Sequence, residues 1–208
     1  MGFFKTVIGT ASAELTEKRS RFIANIAHVD SEQQAIDFIN SLKTKYWDAR
    51  HNVYAYIINE NNIVRFSDDG EPHSTAGKPV LDVLVGNNLK NTVIVVTRYF
   101  GGILLGTGGL VRAYSSSALL AVETAQIGEN RECVFATTKI SYTAFDKLKF
   151  LLEEAGAVIT DTQFADNVRV DFYLLKEKFE ELNQKVKDTF FGKITLEITK
   201  KDFCLIKS

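Results

Sequence analysis

Apolar positions along the chain recur with two periods, about 2 and about 3.6 residues, and the places where one gives way to the other delimit its elements. Residues 6–15 are small and β-branched and predict a first strand. Residues 21–29, with Phe22, Ala24, Ile26 and Ala27 apolar, predict a second. Ser31 and Gln34 form a capping box. Behind it Ala35, Phe38, Ile39, Leu42 and Tyr46 fall at helical spacing, one apolar stripe laid on a sheet. Residues 51–58 and 63–66, joined by a polar turn, predict a hairpin. The acidic stretch 67–78 predicts a loop. Pro79 suits the first turn of a helix whose apolar face is Val80, Leu81 and Leu84, and Gly86 can end it. The unbroken β-branched run 92–97 predicts a central strand covered on both faces. A glycine-rich segment, 101–109, then opens an apolar helix over 110–124.

The pattern restarts after a polar linker at 127–132. Residues 134–142 predict a strand. Phe145, Leu148, Leu151 and Leu152 mark a helix ending near Gly156, and 157–164 with 168–175 make a hairpin. Phe179, Leu182, Val186 and Phe190 mark a second helix, and 193–199 a last strand. The order strand-helix-strand-strand-helix-strand is that of a ferredoxin-like domain. The chain is therefore expected to be α+β with two domains, residues 1–130 and 131–208. A length of 208 residues suits one or two domains and needs no disulfide or metal to complete a core.

Charge narrows the function classes. There are 25 Lys and Arg against 26 Asp and Glu, a net of -1. Residues 1–132 carry 13 basic and 14 acidic side chains, and 133–208 carry 12 of each, so neither half is a basic module. Nucleic-acid binding would need a local patch, and Lys18, Arg19 and Arg21 offer one. Cys133 and Cys204 form no CxxC pair, which excludes a zinc ribbon at the level of sequence, and two thiols suit a reducing compartment. The start of the chain lacks the pattern of a signal peptide, and no apolar run approaches the roughly 18 residues of a membrane span. The expected location is the cytoplasm.

Three segments could carry chemistry. Asp68, Asp69 and Glu71, with His73 beside them, crowd carboxylates into one loop; a cation between them would relieve the repulsion, while a simpler use is to cap the next helix. Arg98, Gly101 and Gly102 follow the buried strand, where Arg98 can meet an anion or pair with Asp68 or Asp69, and the glycines allow a close backbone approach. Gly106, Gly108 and Gly109 open the last helix of the first domain, which points either to an anion at its N-terminus or to close packing. His51 can reach the same sheet end. The dinucleotide fingerprint is broken by Val111, and Gly77-Lys78 runs into Pro79 rather than completing a P-loop. No GxSxG or HExxH occurs. In the second domain, Tyr142 and Phe172 or Tyr173 are candidates for stacking RNA bases on the sheet.

The ordered motifs Ser67-Asp68-Asp69-Gly70-Glu71-Pro72, Thr75-Ala76-Gly77-Lys78-Pro79, Thr97-Arg98-Tyr99-Phe100-Gly101-Gly102-Ile103 and Gly108-Gly109-Leu110-Val111-Arg112-Ala113-Tyr114-Ser115 resemble the IMPACT family, in its bacterial two-domain branch. Arg21-Phe22-Ile23-Ala24 and His51-Asn52-Val53-Tyr54-Ala55-Tyr56 fit the same pattern. The resemblance implies a first domain folded like the second domain of a small-subunit ribosomal protein, and a second like the last domain of elongation factor G. Both of those relatives touch ribosomal RNA. It also implies a regulator of translation, since eukaryotic members act by binding a kinase activator, and it brings no established enzymatic activity. The expected partners are the ribosome or RNA, with a protein partner as a further expectation; no membrane, no DNA and no cofactor are implied. The motifs, together with His73 of the acidic loop, give Asp68, Asp69, Glu71, His73, Lys78, Arg98, Gly101, Gly102, Gly108, Gly109 and Arg112 as ligand- or partner-binding candidates. The alternative is an enzyme or small-anion- or metal-binding protein, with Asp68, Asp69 and Glu71 as metal ligands. His73-Ser74 stands where Ser-Gly is usual.

Overall fold

The computed structural model describes residues 3–207. The chain divides into two compact units, one running up to Asn130 and taking in the C-terminal end from Leu205, the other Arg131–Cys204.

In the first unit, strands β1 (Phe4–Val7), β2 (Thr10–Glu17) and β3 (Ser20–His28) precede helix α1 (Glu32–Lys45). Strands β4 (His51–Ile58) and β5 (Ile63–Ser67) follow, then α2 (Gly77–Gly86), β6 (Thr92–Tyr99) and α3 (Thr107–Thr124). Five strands form one antiparallel sheet in the order β2-β3-β6-β4-β5. The alternation along β6 explains its covered position. Ile94 and Val96 join a core with Phe22, Val53, Val80, Leu84, Leu110 and Tyr114. Val93 and Val95 join another with Ala35, Ile39 and Leu42 of α1. Helices α2 and α3 thus cover one face and α1 the other, the α/β sandwich that the resemblance implies. The Ser31 hydroxyl caps α1 by accepting from Gln34 N, and the Gln34 side chain accepts from Asp30 N.

Strand β7 (Ile127–Ile140) begins in the first unit, where residues 127–130 pair with β1. The expected linker at 127–132 is therefore strand: its backbone groups are taken up by a partner that the sequence pattern does not reveal. The expected strand 6–15 is broken at Gly9, whose φ of 71° turns the chain between β1 and β2.

The second unit continues β7 and adds α4 (Tyr142–Glu154), β8 (Val158–Phe164), β9 (Val168–Leu175), α5 (Lys176–Thr189) and β10 (Glu197–Lys207). Within it β7 pairs with β9 on one side and with β10 on the other, and β8 lies outside β9, the ferredoxin-like order. Leu148, Leu152, Phe179, Leu182 and Val186 of the two helices meet Val134, Ala136, Val170 and Phe172 of the sheet. Two of the three expected stacking residues are displaced: Phe172 is in this core, and Tyr142 starts α4 instead of lying on the sheet. Tyr173 faces its cross-strand partner Phe135, with ring centroids 5.2 Å apart. The last strand starts at Glu197 and runs past Thr199. Among the described residues no helix is long and apolar enough to cross a membrane.

Candidate functional site

The sheet end that receives the motif residues lies where β3, β4 and β6 are in register, with Arg98 opposite Phe22 on one side and His51 on the other. Arg98 is the next-to-last residue of β6, with its side chain 7% exposed. Its Nη1 donates to Glu71 Oε1 at 2.5 Å, and its Nη2 lies 3.4 Å from Ser20 Oγ. The guanidinium carbon sits 5.5 Å from the Phe22 ring centroid and 5.6 Å from that of Phe100, both within cation–π range. Arg98 Nε is buried and has no hydrogen-bond partner among the described residues.

Glu71, 4% exposed in its side chain, is held by more than this pair. The Tyr114 hydroxyl of α3 donates to the same Oε1 at 2.8 Å. Burial first, then the Glu71 charge and hydrogen bond, pushes the Tyr114 phenol well above its ordinary range. His51 Nε2 stands 3.8 Å from Glu71 Oε1. Its other nitrogen, Nδ1, lies 2.8 Å from the Asp69 carbonyl oxygen. A carbonyl only accepts, so Nδ1 carries the hydrogen, and Nε2 of the neutral ring is left with a lone pair.

The other two carboxylates of the acidic loop go elsewhere. Asp68 Oδ1 accepts from Ala76 N at 3.0 Å and Gly77 N at 2.8 Å, and Oδ2 accepts from Ser74 N at 2.8 Å, which caps α2. Asp69 Oδ2 accepts from Asn52 N at 2.7 Å, and Oδ1 from Lys43 Nζ at 3.0 Å. Asp68, Asp69 and Glu71 therefore serve three separate sets of partners. Among the described residues no group of three His, Cys, Asp or Glu side chains is arranged to hold a metal ion. Arg98 pairs with Glu71, not with Asp68 or Asp69 as the sequence allowed.

Two glycines are explained by close approach. A Cβ on Gly101 would lie 2.0 Å from the Arg19 carbonyl carbon, and one on Gly77 2.6 Å from that of Ser67. The backbone that Gly101 approaches is thus the chain's own β2–β3 hairpin, where Lys18 and Arg19 both take positive φ. Gly101 N also donates to Ser20 Oγ at 3.2 Å. Gly102 turns the chain with φ 84°. A Cβ on Gly108 would meet open space, and one on Gly109 would meet only the Leu105 side chain.

A cavity of about 420 Å³ opens at this sheet end. Its polar lining includes Arg50, His51, Glu71 and Arg98; its apolar lining includes Phe100, Leu104, Leu105 and Leu110; Gly106 and Thr107 bring the start of α3 to it. Of the sequence candidates, Glu71 and Arg98 meet here. His73 has its side chain 95% exposed, Lys78 pairs with Asp82 on the surface of α2, and Arg112 is exposed on α3, so these three stand outside it. Arg50, Tyr114 and the leucines are additions from the structure. Tyr114 lies inside one of the quoted motifs, and its signal was a large hydroxyl-bearing ring among the small residues of a helix.

Comparison with known proteins follows the same division of the chain. The model of the Impact N-terminal domain matches residues 18–122, and a domain of unknown function matches residues 138–193. The chain is 36% identical to the IMPACT family member YvyE of Bacillus subtilis, over 90% of this chain and 87% of that protein. It is 34% identical to the IMPACT family member YigZ of Escherichia coli, over 86% and 89% respectively. A crystal structure described as that of a hypothetical protein superposes with a TM-score of 0.61 at 31% identity, covering 96% of this chain and 98% of that one.

Proposed function

Because this chain belongs to the IMPACT family, we propose that it is a non-enzymatic regulatory protein of translation that binds RNA or the ribosome through the face around loop 100–106. One observation carries this. The charged motif residues Asp68, Asp69, Glu71 and Arg98 are engaged within the protein, where they order the loop, while the groups left outward are those of a binding surface. Phe100, Ile103 and Leu104 are exposed, Leu104 by 84%. Gly101 seats the hairpin tip of Lys18 and Arg19 against this loop, and Arg50 lines the adjoining cavity. These three cations are exposed and have no carboxylate partner among the described residues. Arg21, the third member of the patch expected from sequence, is engaged by Glu14 through two hydrogen bonds of 2.8 and 2.7 Å. Cations beside exposed apolar side chains suit phosphates and unstacked bases.

The test is the salt dependence of binding to a single-stranded ribosomal RNA fragment. Lys18→Asn with Arg19→Gly removes two charges and installs the Asn-Gly pair that such a turn favours, so the hairpin is preserved. Together with Arg50→Ala it is expected to weaken binding and to lower the slope of log affinity against log salt by about 2, at roughly 0.7 for each single-strand phosphate contact. Affinity that ignores salt, or a triple variant indistinguishable from wild type, would count against the proposal.

A further inference from the structure

We propose that the cavity between loop 100–106, the start of α3 and the end of β4 is a binding site for a nucleoside monophosphate unit, either a free nucleotide or the end of an RNA. This deepens the function proposed above and rests on it only where the nucleotide belongs to RNA.

Three features of the lining converge. The first is anion recognition. Helix α3 is 18 residues long, and its cap is Gly106 at φ 71°, which has no side chain to take up the first N–H groups. Gly106 and Thr107 line the cavity together with Arg50, so the positive end of a helix without a side-chain cap and a guanidinium with no carboxylate partner among the described residues meet in one place. The second is Arg98. It lines the same cavity and is more than nine-tenths buried, so the lining holds a second guanidinium besides that of Arg50. A charge held in such a poorly hydrated wall attracts an anion more strongly than one in open water. The third is a pair of acceptors. Both hydrogen bonds to Glu71 fall on Oε1, so Oε2 receives none from the described residues. The Asp69 carbonyl fixes a hydrogen of His51 on Nδ1, so in the neutral form of the ring Nε2 is an acceptor. The ligand must therefore donate as well as carry negative charge, and it must offer a flat or apolar body to Phe100, Leu104, Leu105 and Leu110.

A nucleoside monophosphate meets each demand: phosphate oxygens for the helix start and the guanidinium groups, ribose hydroxyls or an exocyclic amine for Glu71 and His51, and a base for the apolar wall. Inorganic phosphate lacks the body. A single apolar amino acid has both charges but is small for about 420 Å³, a volume in the range of sites that enclose nucleotide-sized ligands.

The full chain, labelled with 15N, is titrated with AMP, UMP, inorganic phosphate and leucine in separate experiments, and the amides of Thr107, Gly108 and His51 are followed. Saturable shifts are expected for AMP or UMP, weaker ones for phosphate, and none for leucine. Arg50→Ala should weaken nucleotide binding by about tenfold, the loss of one charge-assisted contact. His51→Asn keeps a donor for the Asp69 carbonyl and removes Nε2, and should weaken AMP while leaving phosphate unchanged. Displacement of AMP by a 5′-phosphorylated oligoribonucleotide assigns the site to an RNA end, and lack of displacement assigns it to the free nucleotide. Shifts by leucine alone, or by none of the four at millimolar concentration, overturn the inference. If RNA is still retained in that case, RNA binding survives and only the nucleotide site is lost.

Discussion

The buried pair of Arg98 and Glu71 is the feature on which the shape of the site depends, and its energetics can be measured as a cycle. Both side chains are nearly removed from water, 7% and 4% exposed. Replacing Arg98 by Leu leaves the Glu71 carboxylate buried with the Tyr114 hydroxyl as its remaining donor. Replacing Glu71 by Leu leaves the Arg98 guanidinium with its long hydrogen bond to Ser20 and the rings of Phe22 and Phe100, and no anionic partner among the described residues. Each single change should cost about 3–5 kcal/mol, the range for stranding one partner of a buried ion pair. That is a large share of a total stability of about 5–15 kcal/mol. The double variant strands no charge. It should therefore lose less than the sum of the singles, with a coupling near the upper end of the roughly 0.5–3 kcal/mol found for residues in one network. Urea unfolding followed by far-ultraviolet circular dichroism gives each free energy, fitted with as many transitions as the wild type shows. Single variants that lose less than about 1 kcal/mol would mean that the pair behaves as an exposed one. A double variant additive to within about 0.5 kcal/mol would mean that the two groups are not coupled. Either result would refute the network.

Other expectations follow from the same geometry. Asp68→Ala removes three hydrogen bonds to the backbone at the start of α2 and should cost about 2 kcal/mol in the same assay, the upper end for a helix cap. Gly101→Ala should cost at least about 1–3 kcal/mol through overpacking against the Arg19 carbonyl carbon, whereas Gly108→Ala, facing open space inside a helix, should be neutral or stabilising by up to about 1 kcal/mol. The Tyr114 phenol is neutral in the folded state well above its unfolded value of 10.0. Its contribution is therefore complete below about pH 10 and is lost as the pH rises further, because the unfolded chain then gains by ionising. Tyr114→Phe should flatten part of this alkaline loss while costing about 1.5–3 kcal/mol at neutral pH, the value of a hydrogen bond to a charged group. The Cys133 thiol, fully buried and pushed up to about 12 chiefly by that burial, should resist alkylation at pH 8 until urea unfolds the protein.

Much of the fold was legible because its signals are local. The capping box at Ser31 and Gln34, the β-branched run of β6 and the paired stripes of α4 and α5 each act within one element. The strand at 127–130 was not legible, since nothing in Ile127 to Asn130 announces that β1, far away in sequence, will take up its backbone groups. The candidate site was legible in part. Glu71 stands out in the acidic loop and Arg98 after the buried strand, and the helix cap that the sequence allows to an Asp of that loop falls to Asp68. Sequence spacing alone treats Asp68, Asp69 and Glu71 as one cluster. The loop turns through Asp69 at φ 43° and Gly70 at φ 88°, and that conformation sends the three side chains in different directions. Arg50 and Leu104 were missed because an exposed arginine and an exposed leucine look like ordinary surface until a cavity wall is built from them.

The central claim, that the face around loop 100–106 engages the translation machinery, is tested most directly by sedimentation. Tagged full-length protein is added to a clarified bacterial lysate and run on a sucrose gradient at low salt, with and without ribonuclease, beside the Lys18→Asn, Arg19→Gly, Arg50→Ala variant. The proposed function predicts ribonuclease-sensitive migration with ribosomal particles that the variant loses while remaining folded. Wild-type protein that stays at the top of the gradient at low salt would contradict it.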